Sequence, residues 1–130
     1  MDSGMTMITP LKRVRGLGSA KEGPGHFLQQ RLTAAANIIL VPFALGLFAK
    51  LAGADLGAVK ATLSHPGIAI VLAMLILSVC VHMRIGMQII IEDYVHGEGA
   101  KMLLLLANTL YVTAIAAVAI FAILKLSFGS

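Results

Sequence analysis

Ile68-Ala-Ile-Val-Leu-Ala-Met-Leu-Ile-Leu-Ser-Val79 decides the fold. The stretch carries no charge and no alternation of apolar and polar positions, so it does not read as a strand with one wet face. A membrane-barrel strand would alternate over about ten residues, which this one does not. In a bilayer no water satisfies the backbone, and a helix that bonds to itself is the remaining solution. Outward from this core the apolar run extends from Gly67 to Ile91 and contains His82 and Arg84. Roughly 20 residues are enough to cross the hydrocarbon region as a helix.

Two further runs have the same character. One spans Leu32 to Ala52, with Lys50 as its single charge, and the other Met102 to Leu124, uncharged until Lys125. Of the 130 residues, 58% are apolar and 12% charged, with a mean hydropathy of +0.93. A soluble domain of this size has too little interior to hide that much apolar surface. The expected fold is an all-α membrane protein with three transmembrane helices, at about 32–52, 67–91 and 102–125, forming one domain over residues 32–126.

Residues 1–31 read as a basic, loosely ordered cytoplasmic arm bearing Lys12, Arg13, Arg15, Lys21 and Arg31. Its glycines and proline, in Gly16-Leu-Gly18 and Gly23-Pro-Gly25, argue against a continuous amphipathic helix. It is not a secretory signal, because the apolar run starts late and is too long. A basic, acid-poor leader also fits an organelle transit peptide. By the positive-inside rule the N-terminus lies inside and the C-terminus outside, with Gly53–Pro66 outside and Glu92–Lys101 inside. The net charge of +4 is mostly this topological signal, so nucleic-acid binding is not expected. Cys80 is the only cysteine, which excludes an intramolecular disulfide, and it reads as an inert buried thiol. Tryptophan is absent, leaving Phe27, Tyr94 and Phe128 as the interfacial rings.

The second span carries the chemistry. At about 100° per residue, Ser78, His82, Gly86, Ile89 and Asp93 share one face. An imidazole at membrane depth is costly without a partner and is a functional candidate for that reason. Gly86, one turn away, removes the side chain that would keep a flat ligand from the backbone. An axial nitrogen, a small neighbour and apolar walls are what a haem between helices requires. A hydrogen bond to a neighbouring helix is the plain alternative for a lone intramembrane histidine. His26 and His96 lie near the inner surface and His65 in the outer loop, so a second axial ligand has to come from another chain.

Arg84 points about 200° away from His82 and lies about 12–15 Å from the inner end of the helix. It reads as a snorkelling side chain or as a counter-ion for an acid. Tyr94, beside Asp93 where the helix leaves the membrane, is either an interfacial anchor or a hydroxyl that polarises a quinone carbonyl. On the third span Asn108, Thr109 and Tyr111 are candidates for interhelical hydrogen bonds. Ala107, Thr113, Ala114, Ala117 and Ala119 there permit close packing.

The pattern His-x-x-Ile-Gly-Met-x-x-x-x-x-Asp-Tyr-Val-His, over His82 to His96, resembles the small hydrophobic membrane-anchor subunit of succinate dehydrogenase, the cytochrome b anchor polypeptide. Gly25-His-Phe-Leu-Gln-Gln-Arg-Leu-Thr-Ala34 is similar to that family's entry into its first helix, and the resemblance covers about residues 16–126. It implies that His82 supplies one axial ligand to the iron of a haem b and that a larger cytochrome b anchor subunit, packed against these helices, supplies the other. It implies that Tyr94, with Asp93 beside it, hydrogen-bonds ubiquinone, and that Arg31 lies near the haem propionates and the quinone pocket. Gly86 then belongs to the haem environment. Arg84 receives no role from the resemblance.

The implied function is that of an anchor subunit of succinate:ubiquinone oxidoreductase, in partnership with a flavoprotein and an iron–sulfur subunit. The chain has no flavin fingerprint and no cysteine cluster, so the dehydrogenase chemistry is not its own. The implied address is a bacterial inner membrane, with the mitochondrial inner membrane as the second address its leader allows. Two other classes compete: a small transporter subunit using His82 and Arg84 as a polar path, and a purely structural anchor.

Overall fold

The structure is a computed structural model and describes residues 23–129. Four helices follow one another: α1 Gly23–Leu51, α2 Leu56–Leu63, α3 Pro66–Tyr94 and α4 Glu98–Phe128. α1, α3 and α4 are long and apolar enough to cross a membrane. The three expected spans are present, each longer than the hydropathy alone delimits, and residues 1–22 of the predicted arm lie outside the described residues.

Residues 23–31 differ from expectation, because they already belong to α1. Pro24 explains this: in a first turn its missing N–H costs nothing and its fixed φ is helical. At 29 residues α1 is about 43 Å long, so its polar first turns extend past a hydrocarbon core about 30 Å thick. The first connection also holds an unexpected short helix. Gly53 turns the chain with φ +78°, a conformation that favours glycine. Asp55 then caps α2, its Oδ1 accepting from the Ala58 N–H at 2.8 Å. His65 caps α3 by accepting from the Gly67 N–H at 3.2 Å, with Pro66 at the first helical position. Only Val95, His96 and Gly97 separate α3 from α4.

α3 is the central element, packed against α1 on one side and α4 on the other. Leu40, Ala44, Leu47 and Leu51 of α1 recur every three or four residues, as do Ile68, Leu72, Leu75 and Val79 of α3. These stripes meet, with Leu63 of α2, in the apolar core at the α2 end of the bundle. Few other residues are buried, and Ile38, Ile39, Val118 and Phe121 are all largely exposed. Such faces suit lipid or another membrane chain.

Candidate functional site

The other half of the α1–α3 contact is polar. α1 is apolar from Leu32 to Ala49 except at Thr33 and Asn37, and these two continue the face of Gln30 just before that run. Thr33 Oγ1 lies 3.1 Å from His82 Nδ1. One turn on, the Ser78 hydroxyl donates to Asn37 Oδ1 at 2.8 Å and lies 3.3 Å from the Thr33 carbonyl. Each step of four along α1 is matched by a step of four backwards along α3, so the two helices run antiparallel. One turn the other way, a Cβ on Gly86 would stand 3.4 Å from Gln30 Nε2. The open side of this glycine is thus met by the Gln30 amide. The other atom of that amide, Oε1, is buried with no hydrogen-bond partner among the described residues.

His82 is partly buried in this seam, and the ring atom used there is Nδ1. Among the described residues no hydrogen bond engages Nε2, and no group of three or more His, Cys, Asp and Glu could enclose a metal ion. A macrocycle that brings its own four nitrogens needs only an axial side chain, and one imidazole meets that need.

Asp93 and Tyr94 end α3, twelve residues beyond His82 in the case of Tyr94, or about 18 Å by helical rise. Both are exposed, Tyr94 by 77%. Arg31 stacks on the Phe27 ring, its guanidinium carbon 5.1 Å from the ring centre. From the α1–α3 register it stands level with His82 rather than with Tyr94. The structure therefore brings His82, Gly86 and the Arg31 turn of α1 to one level and leaves the Asp93–Tyr94 pair at the helix end.

Arg84 lies on the α4 side of α3, where its carbonyl accepts from Asn108 Nδ2 at 3.0 Å and its side chain is exposed. Asn108 thus makes the interhelical bond expected of it. Thr109 bonds back to the Leu105 carbonyl of its own helix, and Tyr111 is exposed. The groove between α3 and α4, lined by Met83, Met87, Asn108 and Tyr111, is apolar apart from that amide and phenol. Thr33, Asn37 and Gln30 escaped the sequence reading. Their signal was available: polar residues at helical spacing inside an apolar span imply a neighbour that bonds them.

Comparison with known proteins agrees with this architecture. Residues 5–123 match the family described as succinate dehydrogenase/fumarate reductase transmembrane subunit. The chain is 29% identical over 126 residues to the succinate dehydrogenase hydrophobic membrane anchor subunit of Paracoccus denitrificans, covering 97% of each protein. It is 35% identical over 99 residues to the subunit of the same name from Rickettsia bellii (strain RML369-C), covering 76% of this chain and 79% of the relative. No solved structure matches it at a significant level. With the first two spans and most of the third inside the matched region, the chain belongs to the succinate dehydrogenase/fumarate reductase transmembrane-subunit family, as a membrane-anchor subunit.

Proposed function

We propose that this chain supplies, through His82, one of two axial ligands to a haem b shared with a larger cytochrome b anchor subunit. Through Tyr94 and Asp93 it supplies part of a site where ubiquinone is reduced. The whole would be a succinate:ubiquinone oxidoreductase, with a flavoprotein and an iron–sulfur subunit docked on the cytoplasmic face of a bacterial inner membrane. The observation that carries the haem reading is the placement of His82, in the α1–α3 seam with Nδ1 engaged by Thr33. The residues present fit the group: one imidazole at this level of the α1–α3 seam and, a turn away, a buried Gln30 amide oxygen with no hydrogen-bond partner among the described residues.

When bound, a haem would supply a one-electron store. The chain's own residues orient and neutralise. Arg31, level with His82 and stacked on Phe27, would offer a positive charge to the haem propionates. At the α3 end, the Tyr94 hydroxyl donates a hydrogen bond to a quinone carbonyl and polarises it, and the Asp93 carboxylate, at the aqueous surface, passes protons toward it. With Tyr94 so exposed, the other walls of that pocket belong to other subunits.

The His82–Thr33 bond also favours one rival, a structural anchor in which the imidazole only joins α1 to α3. The b-type absorption of the purified complex separates the two. The ligand reading expects it to disappear in His82→Ala. Full retention of the spectrum in an assembled His82→Ala complex would overturn it.

A further inference from the structure

We propose that Thr33 is a positioning residue for His82: its hydroxyl oxygen accepts the Nδ1 proton, which leaves the Nε2 lone pair as the atom presented to iron. The inference rests on the haem reading above and adds a residue and an atom assignment to it.

The argument is one of hydrogen counting. Thr33 Oγ1 has three polar neighbours: the Gln29 carbonyl at 2.7 Å, the Gln30 carbonyl at 3.2 Å and His82 Nδ1 at 3.1 Å. A hydroxyl has one hydrogen and two lone pairs, and carbonyls only accept. The shortest contact, to Gln29, takes the hydrogen, in the back-bonded geometry that threonine adopts inside helices. What faces α3 is then a lone pair, and Nδ1 must be the donor. A neutral imidazole carries one N–H, so Nε2 is left unprotonated. The opposite polarity would place the proton on Nε2 and give iron nothing to bind. Ser78, one turn away on the seam, has its own hydroxyl hydrogen directed at Asn37 Oδ1 and does not donate to the ring.

The arrangement has two effects. It holds the ring plane against α1, so that its free nitrogen is aimed by packing rather than by the metal alone. An acceptor on the far N–H also raises the basicity of the ligating nitrogen, which favours the ferric state. Thr33 lies on a different helix from His82, 49 positions away in sequence, so the aim of the ligand depends on the seat of α1.

The test uses the intact purified complex with three variants: Thr33→Val, which keeps the shape and loses the acceptor, Thr33→Ser, which keeps the hydroxyl, and His82→Ala. The expected result is that Thr33→Val shifts the haem b midpoint potential to more positive values and moves the low-spin electron paramagnetic resonance signal, whereas Thr33→Ser stays at wild type. If the valine variant does not assemble, Thr33→Cys, of similar size and a weaker acceptor, takes its place with the same expected direction of shift. Potential and resonance unchanged in the valine or cysteine variant, with haem lost in His82→Ala, overturn the role of Thr33 and leave the ligand reading standing. Haem retained in His82→Ala overturns both.

Discussion

Gly86→Ala against Gly86→Leu probes which neighbour this glycine makes room for. A Cβ at position 86 would meet Gln30 Nε2 at 3.4 Å, an ordinary contact with the end of a flexible side chain. Alanine therefore fits without moving α1, and removing a glycine from a helix interior is worth up to about 1 kcal/mol. Leucine reaches further in the same direction, into the place of the Gln30 amide, and overpacking of that kind costs about 1–3 kcal/mol. Relief by separating the helices breaks the seam, because the Thr33–His82 contact is already 3.1 Å and a side-chain contact near 3.6 Å is no longer a hydrogen bond. The assay is thermal unfolding of the purified complex together with its haem b content. Alanine should leave both at or slightly above wild type, and leucine should lower both. Loss of haem from an assembled Gly86→Ala complex would refute the reasoning, since the added carbon would then be meeting the cofactor and not Gln30.

Tyr94→Phe removes one donor at the end of α3 and should lower succinate–quinone turnover roughly 2- to 10-fold, the worth of one net hydrogen bond, with assembly intact; unchanged turnover would remove Tyr94 from the quinone site. Ser78→Ala removes the donor to Asn37 and should destabilise the α1–α3 pair by about 0.6 kcal/mol and at most about 1.7. A double-mutant cycle with Asn37→Ala measures that coupling in reversible unfolding, and a coupling of zero would contradict the seam.

The spans were legible because a bilayer leaves so few options: runs like Ile68–Val79 have no other stable reading. The buried stripe of the first span, at Leu40, Ala44, Leu47 and Leu51, was not legible, because the lipid-facing Ile38, Ile39 and Leu45 are just as apolar. Nor were helix ends. Gly23-Pro24-Gly25 resembles a linker in composition, and only the position of Pro24 in the first turn reveals a helix start. α2 was hidden in a connection, although Asp55 as a cap followed by Leu56, Val59 and Leu63 states it clearly. Within the site, the stripe of Ser78, His82 and Gly86 was readable from one helix. Its answering residues Gln30, Thr33 and Asn37 carry a periodic mark of their own, which calls for a bonding neighbour without saying which helix provides it. Tyr94 is exposed at the end of its helix, and nothing in this chain closes a pocket over it among the described residues. On the function proposed above, the other walls of its pocket are written in other sequences.

The two polar rungs of the seam also act as an index mark. The apolar stripes of α1 and α3 repeat every turn, so a slide of one turn, about 5.4 Å, would still set leucine against leucine or isoleucine. Lipid tails would not resist such a slide, being as apolar as the stripe itself. The rungs do resist it, because Thr33 and Asn37 find both partners only in one alignment, much as a single polar residue selects one register in a coiled coil. Two hydrogen bonds therefore set the height at which His82 stands in the membrane relative to Arg31, a vertical calibration that the greasy half of the same interface has no means to provide.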